Sequence, residues 1–299
     1  MAAKTKAALS SVVSNAPDRF QPRVTQTLNT DSITGDISGE VMGHQHLLNL
    51  PKTREWRAVV ELLVGGADVA AIAAATSQAA EKSMIEASAD SAVRHSFFLL
   101  TQIPIAAGNA DFVRALRRLG LRVSDEPSLV DLGIAMMGAI DSFITRQGIR
   151  TDYGEIAQLA TVECVQAVIG RDIDDFFGER ERLRTSLARF SDSRYFAYLA
   201  RDFFGRLTRR HFSFYLSREL ASHIGNGRRF PSLLEHEDFE HALDLHCQEA
   251  TRIIKEFSAS WFHKHTSQGG IDPEIAGKFV HAAAGKIRDE LAKRAPVHA

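Results

Sequence analysis

The sequence predicts an all-α protein, and three observations support this fold class. From Arg54 onward, apolar residues recur every three or four positions, and no segment alternates as a β-strand does. Most of these segments begin at a Ser, Thr or Asp that is suited to cap a helix. The chain has only eight prolines, and most of them lie at segment boundaries. We therefore expect a multi-helix globular domain followed by long, bundle-like C-terminal helices.

The composition divides the 299 residues into three parts. Residues 1–53 are rich in Ser, Thr, Asn, Asp and Gly without a sustained period, which predicts a flexible N-terminal arm. Residues 54–190 are expected to form a helical domain, and residues 191–299 a C-terminal module of long helices. The boundary lies at the sequence FSDSR, where charge and capping signals coincide. The two helical parts can still share one core.

The first helices of the predicted domain follow from local signals. Trp56 and Val59 share one face of a helix that ends at a double glycine. Asp68 is placed to cap an alanine-rich helix, whose small side chains imply closely packed neighbours. The next helix, SAVRHSFFLLTQI, is expected to end near Pro104, because proline interrupts the helical hydrogen bonds.

The middle of the chain predicts further helices. Asn109 or Asp111 opens a short helix, and Ser128 opens one that runs to Gly148. The centre of the second helix, LGIAMMGAI, is apolar on every side, which predicts that it is buried on all sides. A helix over TDYGEIAQLATVECVQAVIG and a strongly charged helix follow it.

The C-terminal module is expected to contain three long helices. An N-cap at Ser191 or Asp192 opens an aromatic helix. A capping box of Ser232 and Glu235 opens one uninterrupted helix over residues 232–265. An Asp-Pro pair, with proline at the first helical position, opens the last helix.

The aromatic helix is the most informative segment for function. It carries eight aromatic residues between positions 195 and 215 and five arginines. An aromatic set this dense requires burial on one side, because large exposed apolar patches are rare on soluble monomers. The arginines leave the other side for a partner, since arginine and aromatic residues are enriched at interfaces. The expected interaction surface comprises Arg201, Arg206, Arg209, Arg210, Phe212, Tyr215, Arg218, Arg228 and Arg229.

A cluster of carboxylates and histidines supports a second function class, a metal-dependent enzyme. Glu237 and His241 are four residues apart and share a helix face, and His246 and Glu249 are three apart. Such pairs bind a divalent metal in bundles when a facing helix supplies a second pair. The familiar ExxH spacing is missing, so a charged helix face is the simpler interpretation, and no cofactor is expected.

Two segments resemble motifs of known families. DIDDFFGE at 172–179 resembles the aspartate-rich motif of class I terpene synthases, which implies magnesium bound against a diphosphate. The second acidic motif of that family is missing, and the acids suit a helix N-terminus. EIAQLATVECVQAVI resembles the start of the helix-turn-helix of bacterial repressors, although its turn is too short. A core helix explains the second segment better.

Charge and hydropathy bound the remaining function classes. Nucleic-acid binding through the arginines of 201–229 stays open as a third class, but the net charge of −1 gives no overall attraction for nucleic acid or anionic membranes. The longest apolar stretch has nine residues, too few to span a bilayer. The N-terminus lacks the apolar core of a signal peptide, and the two distant cysteines indicate reduced thiols.

The sequence contains no familiar catalytic motif. P-loop, GxGxxG, HExxH, GxSxG and kinase signatures are all missing. We therefore expect a cytoplasmic, non-catalytic scaffold or adaptor that acts through protein–protein contacts or self-association. The alanine- and arginine-rich sequence is typical of a bacterial protein. We interpret the chain as a subunit of a bacterial multi-protein assembly, such as an accessory subunit of an anti-phage defence system.

Overall fold

The computed structural model describes residues 50–174 and 179–294, and it describes their side chains outside 172–182. Within these ranges the regular structure is helical, apart from one isolated bridge between Ile224 and Phe230. The all-α prediction is therefore confirmed. None of these helices has the length and apolar character needed to cross a bilayer. In chain order the helices are α1 (Arg54–Val64), α2 (Val69–Ala79), α3 (Glu81–Ala89), α4 (Ser91–Ala107), α5 (Phe112–Arg118), α6 (Leu129–Gln147), α7 (Asp152–Asp174), α8 (Glu179–Arg189), α9 (Ser193–Ser222), α10 (Leu233–Ala250), α11 (Arg252–Ser267) and α12 (Pro273–Lys293).

The helices begin where the capping residues predict. At each of six predicted starts a predicted cap side chain accepts a hydrogen bond from a backbone N–H group in the first turn; of the alternatives, Asp111 and Asp192 are the caps, and Asn109 and Ser191 are not. Such bonds satisfy donors that a helix leaves unpaired. These caps are Asp68, Asp111, Ser128, Asp192, Ser232 and Asp272. Both Ser128 and Ser232 form full capping boxes, with Asp131 and Glu235. The backbone N–H of Ser128 also holds the pKa of Asp131 below its usual range.

The predicted uninterrupted helix over residues 232–265 is wrong, because the chain breaks at Thr251 into α10 and α11. The hydroxyl of the fully buried Thr251 donates to the Gln248 carbonyl at 2.9 Å. The N–H of Ile254 donates to the Thr251 carbonyl at 3.0 Å, which tightens the turn. A threonine hydroxyl that competes for backbone carbonyls bends or ends a helix.

The predicted end of α4 at Pro104 is also wrong. The helix continues through Pro104 to Ala107, and Pro104 itself is buried. Proline removes one backbone donor and crowds the preceding turn. Here the neighbouring Phe97, Leu100 and Ile103 are buried in the core, so tertiary packing maintains the helix.

Helix α6 is exposed on one side, so the prediction that its centre is buried on every side is wrong. Leu132, Met136 and Ile140 are fully buried, whereas Ile134 is 64% exposed and Met137 is 38% exposed. A helix that is apolar all round is expected to be buried on every side. Which sides are buried depends on the helices that pack against it.

The core is built around α9, which packs against α4, α7, α10 and α11. Phe97 of α4 lies in an aromatic cluster, 5.3 Å from Phe204 of α9 and stacked at 5.0 Å on Phe279 of α12, measured between ring centroids. Phe196 of α9 stacks on Phe262 of α11 at 3.9 Å. One cluster of buried side chains includes residues of both 54–190 and 191–299, so the two helical parts share a core.

Helices α4 and α7 approach each other closely at Gly154. A Cβ atom at this position would lie 2.9 Å from the Cβ of Ala92, so no side chain fits there. Beside this contact, the hydroxyl of Thr151 donates to the carboxylate of Asp90, the N-cap of α4, at 2.7 Å. The beginnings of the two helices are therefore fixed together.

We expect Phe97→Ala to lower the free energy of unfolding by about 3–5 kcal/mol, because it leaves a cavity among four packed helices. Urea unfolding followed by circular dichroism measures the change. Tyr198→Ala is the matched control, since Tyr198 is 50% exposed and its truncation opens no cavity. Equal effects at the two positions would contradict the assignment of Phe97 to the centre of the core.

Candidate interaction surface

The aromatic side of α9 faces inward, as the dense aromatic pattern predicts. Phe203, Phe204 and Phe212 are all at most 1% exposed. Tyr215 is 8% exposed and stacks on Trp56 of α1, with ring centroids 4.7 Å apart. Phe212 and Tyr215 must therefore be removed from the predicted interaction surface, because the chain's own core covers them.

The other side of α9 forms the floor of a groove, with α7 on one side and α10 on the other. Two adjoining concavities of about 580 and 610 Å³ make up this groove, and Arg206 and Asp244 line both. The first extends towards Tyr195 and Tyr198, near the start of α9. The second extends towards Arg218, near its end.

The arginines of the groove are paired with acids of the same chain. Arg206 binds Asp202 at 2.5 Å, measured from Nε to Oδ2, and lies 3.7 Å from Glu163 of α7. Arg210 also binds Glu163, through Nε at 3.1 Å and through Nη2. Glu163 therefore joins two turns of α9 to α7.

Acids of α10 neutralise two further arginines of α9. Arg209 lies 3.5 Å from Glu240, and its side chain is only 15% exposed. Arg201 lies 3.6 Å from Glu249 and donates to the Gln248 carbonyl at 3.1 Å. The basic character seen in the sequence of α9 is thus used largely to hold α7 and α10 against it.

Three predicted arginines lie outside this set of ion pairs. Arg218 is exposed near the end of α9, and Arg228 is exposed and donates to the Ser222 carbonyl. Arg229 donates to the Ala67 carbonyl at 3.0 Å, and its guanidinium lies 5.4 Å from the ring centroid of Phe230. Arg229 therefore joins the loop after α9 to the loop before α2.

Tyr198 is the exposed aromatic residue of the groove. It is 50% exposed, and the amino group of Lys255 lies 3.8 Å from its ring centroid. A hydrogen bond with Lys255 and the charge of that lysine hold the pKa of Tyr198 below its usual range. Nearby, Arg189 stacks over Tyr195 at 4.6 Å. The sequence-based list omitted these two tyrosines, although their spacing from Phe196 already placed them beside the buried face.

The structure does not bring the four candidate metal ligands together. Glu237 and His241 are exposed on α10, and Glu249 binds Arg252 at 3.0 Å. Burial and then the charge of Arg294 lower the pKa of His246, against the opposing effect of Asp68. No group of three or more potential metal ligands converges among the described residues.

The two motif resemblances have different outcomes. The segment EIAQLATVECVQAVI lies within α7, which runs from Asp152 to Asp174 without the turn of a helix-turn-helix. The hydroxyl of Thr161, at the expected turn, donates to the Ala157 carbonyl within that helix. The expectation of a core helix is therefore correct for this segment. The side chains of DIDDFFGE and the predicted arm up to residue 49 lie outside the described residues.

A buried polar cluster on the inner side of α9 has no counterpart in the sequence analysis. The Nε2 atom of His211 lies 3.0 Å from the hydroxyl of Ser83, which itself donates to the Ala80 carbonyl at 2.8 Å. His211 is therefore the donor to Ser83, and the serine is not activated as a nucleophile. Burial lowers the pKa of His211 to about 4.

Comparisons with known proteins give no relative of this chain. No family model, no curated protein and no solved structure matches it. Any function proposed for the chain rests therefore on its own surfaces.

Replacing Glu163 by Gln should lower the free energy of unfolding by about 1 kcal/mol, because Arg206 and Arg210 lose a shared, partly buried partner. Thermal or urea unfolding measures the change. Glu237→Gln, on the exposed part of α10, should change stability by less than about 0.5 kcal/mol. If both substitutions behave alike, the ion pairs between α7 and α9 contribute nothing to stability.

The buried His211 makes stability dependent on pH. The unfolded chain protonates this histidine near pH 6.5, whereas the folded chain does so only near pH 4, so acid favours unfolding between these values. We expect His211 to account for a loss of about 2 kcal/mol between pH 7.5 and pH 5. His211→Gln should reduce the pH dependence of urea unfolding by about this amount, and His263→Gln, at an exposed position, should not. An unchanged pH profile for His211→Gln would refute this origin.

Proposed function

We propose that this chain is a helical scaffold or adaptor that works through protein–protein contacts and pairs with a second copy of itself through α6. The observation that carries the proposal is the uncovered apolar face of α6. Val130, Ile134 and Met137 are 61%, 64% and 38% exposed. Their spacing of four and three residues places them in one stripe along the helix.

The size of this face supports a role in association. Three apolar side chains at these exposures offer roughly 300 Å² of apolar surface, comparable with the largest patch on a typical monomer. A standard interface covers about 800 Å² on each partner. Leu159 of α7, 40% exposed, and Ile149 after α6, 68% exposed, are further apolar side chains for such an interface. Helix α7 packs against α6, and Gln158 donates to the Met137 carbonyl at 2.8 Å.

The shape of α6 supports a second copy of this chain as the occupant. Gly138 lies one turn after Ile134 on the same face, and a Cβ there would meet no atom within 4 Å. In an antiparallel pair of α6 helices with the two-fold axis near residue 136, Ile134 of each copy lies opposite Gly138 of the other. Each isoleucine side chain then fills the space that the glycine of the other copy leaves open. A symmetric dimer requires such self-complementarity.

A cytoplasmic location and membership in a bacterial assembly belong to the same proposal. Cys164 and Cys247 are both buried free thiols, and free thiols are typical of a reducing compartment. Burial raises the pKa of Cys247 to about 12, so this thiol stays protonated and unreactive.

Sedimentation equilibrium of the full chain tests the proposal. We expect a mass twice the 33.0 kDa of one chain for the wild type and a single-chain mass for Ile134→Glu, because a carboxylate cannot be buried in an apolar interface. Val64→Glu is the control, since Val64 is 60% exposed on α1, outside this face. An unchanged helical circular dichroism spectrum shows that each variant is folded. A monomeric wild type, or dissociation by Val64→Glu as well, would overturn the pairing through α6.

A further inference from the structure

A second concave site lies between α4, α6 and the loop that follows α5. It has a volume of about 550 Å³, within the range of pockets that bind small molecules. Its lining combines a basic wall of Arg117, Arg122 and Arg146 with a smaller apolar wall that includes Leu119 and Leu121. No carboxylate is among the described side chains that line it.

The charge of this pocket is only partly balanced. Arg117 binds Asp125 at 2.8 Å and donates to the Val123 carbonyl at 2.9 Å, which holds the loop against α5. Arg122 and Arg146 form no ion pair with the side chains that the structure describes, which exclude those of residues 172–182. In the α9 groove, by contrast, Arg201, Arg206 and Arg210 each face an acid of α7 or α10.

His95 lines the same pocket with its ring. This ring lies flat on Phe143, with centroids 4.0 Å apart and an interplanar angle of 7°. Burial and then the charge of Arg146 lower the pKa of His95 to about 4, so the imidazole is neutral at neutral pH and adds no charge to the pocket.

We infer that this pocket binds a small phosphate-bearing anion, held by the guanidinium groups of Arg122 and Arg146. Guanidinium groups match phosphate oxygens in pairs. The half-buried hydroxyl of Ser142 also lines the pocket. The apolar wall is suited to a non-polar part of the ligand beyond its phosphate. This inference is independent of the pairing through α6.

Isothermal titration of the full chain with pyrophosphate at about 50 mM salt tests the site, since low salt preserves attraction between exposed charges. We expect saturable binding and about a tenfold weaker affinity for Arg122→Gln and for Arg146→Gln, because each loses a charge-assisted contact. Arg118→Gln, an exposed arginine of the same helix as Arg117, should bind as the wild type does. No binding, or an equal loss in Arg118→Gln, would overturn the site.

Two further arms establish the ligand class and the independence of the site. Citrate, which carries carboxylates in place of phosphates, should bind at least tenfold more weakly than pyrophosphate, and equal affinity would overturn the assignment to phosphate. Ile134→Glu should keep the affinity of the wild type for pyrophosphate. If the Ile134→Glu variant does not bind pyrophosphate, the pocket depends on pairing through α6.

Discussion

The fold depends on the burial of the aromatic side of α9. Phe203, Phe204 and Phe212 cannot stay in water, so α4, α7, α11 and α12 must enclose them. This enclosure brings α7 and α10 close to the opposite, arginine-bearing side of the same helix. The arginines there are partly withdrawn from water and require acidic partners, which those two helices supply. A single apolar requirement thus determines both the packing and the ion pairs.

Local features of the fold were predictable from the sequence, and non-local ones were not. Caps such as Ser128 and Ser232 act within one turn, so a short segment contains the whole signal. The pairing of Arg210 with Glu163 and that of His211 with Ser83 join residues 47 and 128 positions apart. Residue spacing within a helix predicts contacts between residues three or four positions apart, and it cannot predict contacts between residues so distant in sequence. Thr251 combines both kinds of signal. It ends α10 through a hydrogen bond to a residue three positions away, but this effect depends on its burial, which is set by distant parts of the chain.

The candidate sites show the same division. The sequence identified α9 as the helix where apolar and basic character meet, and it could not tell which charges would be satisfied internally. It overlooked α6, because a helix that is apolar all round gives no indication of which side stays uncovered. It also overlooked the basic pocket, because its residues come from three helices and a loop that only the fold brings together: His95, Arg117, Arg122 and Arg146. Within the described residues, the apolar face of α6 is left uncovered, and no carboxylate lines the basic pocket.

Two glycines of the fold have opposite surroundings. Gly154 has no room for a methyl group, so the interior of this single chain explains it completely. Gly138 has open space around it on an exposed helix face, where alanine would favour the helix by roughly 1 kcal/mol. Helix propensity alone therefore argues against a glycine at this position. A Gly138 that never changes among natural variants would therefore indicate that a neighbouring molecule packs against this face.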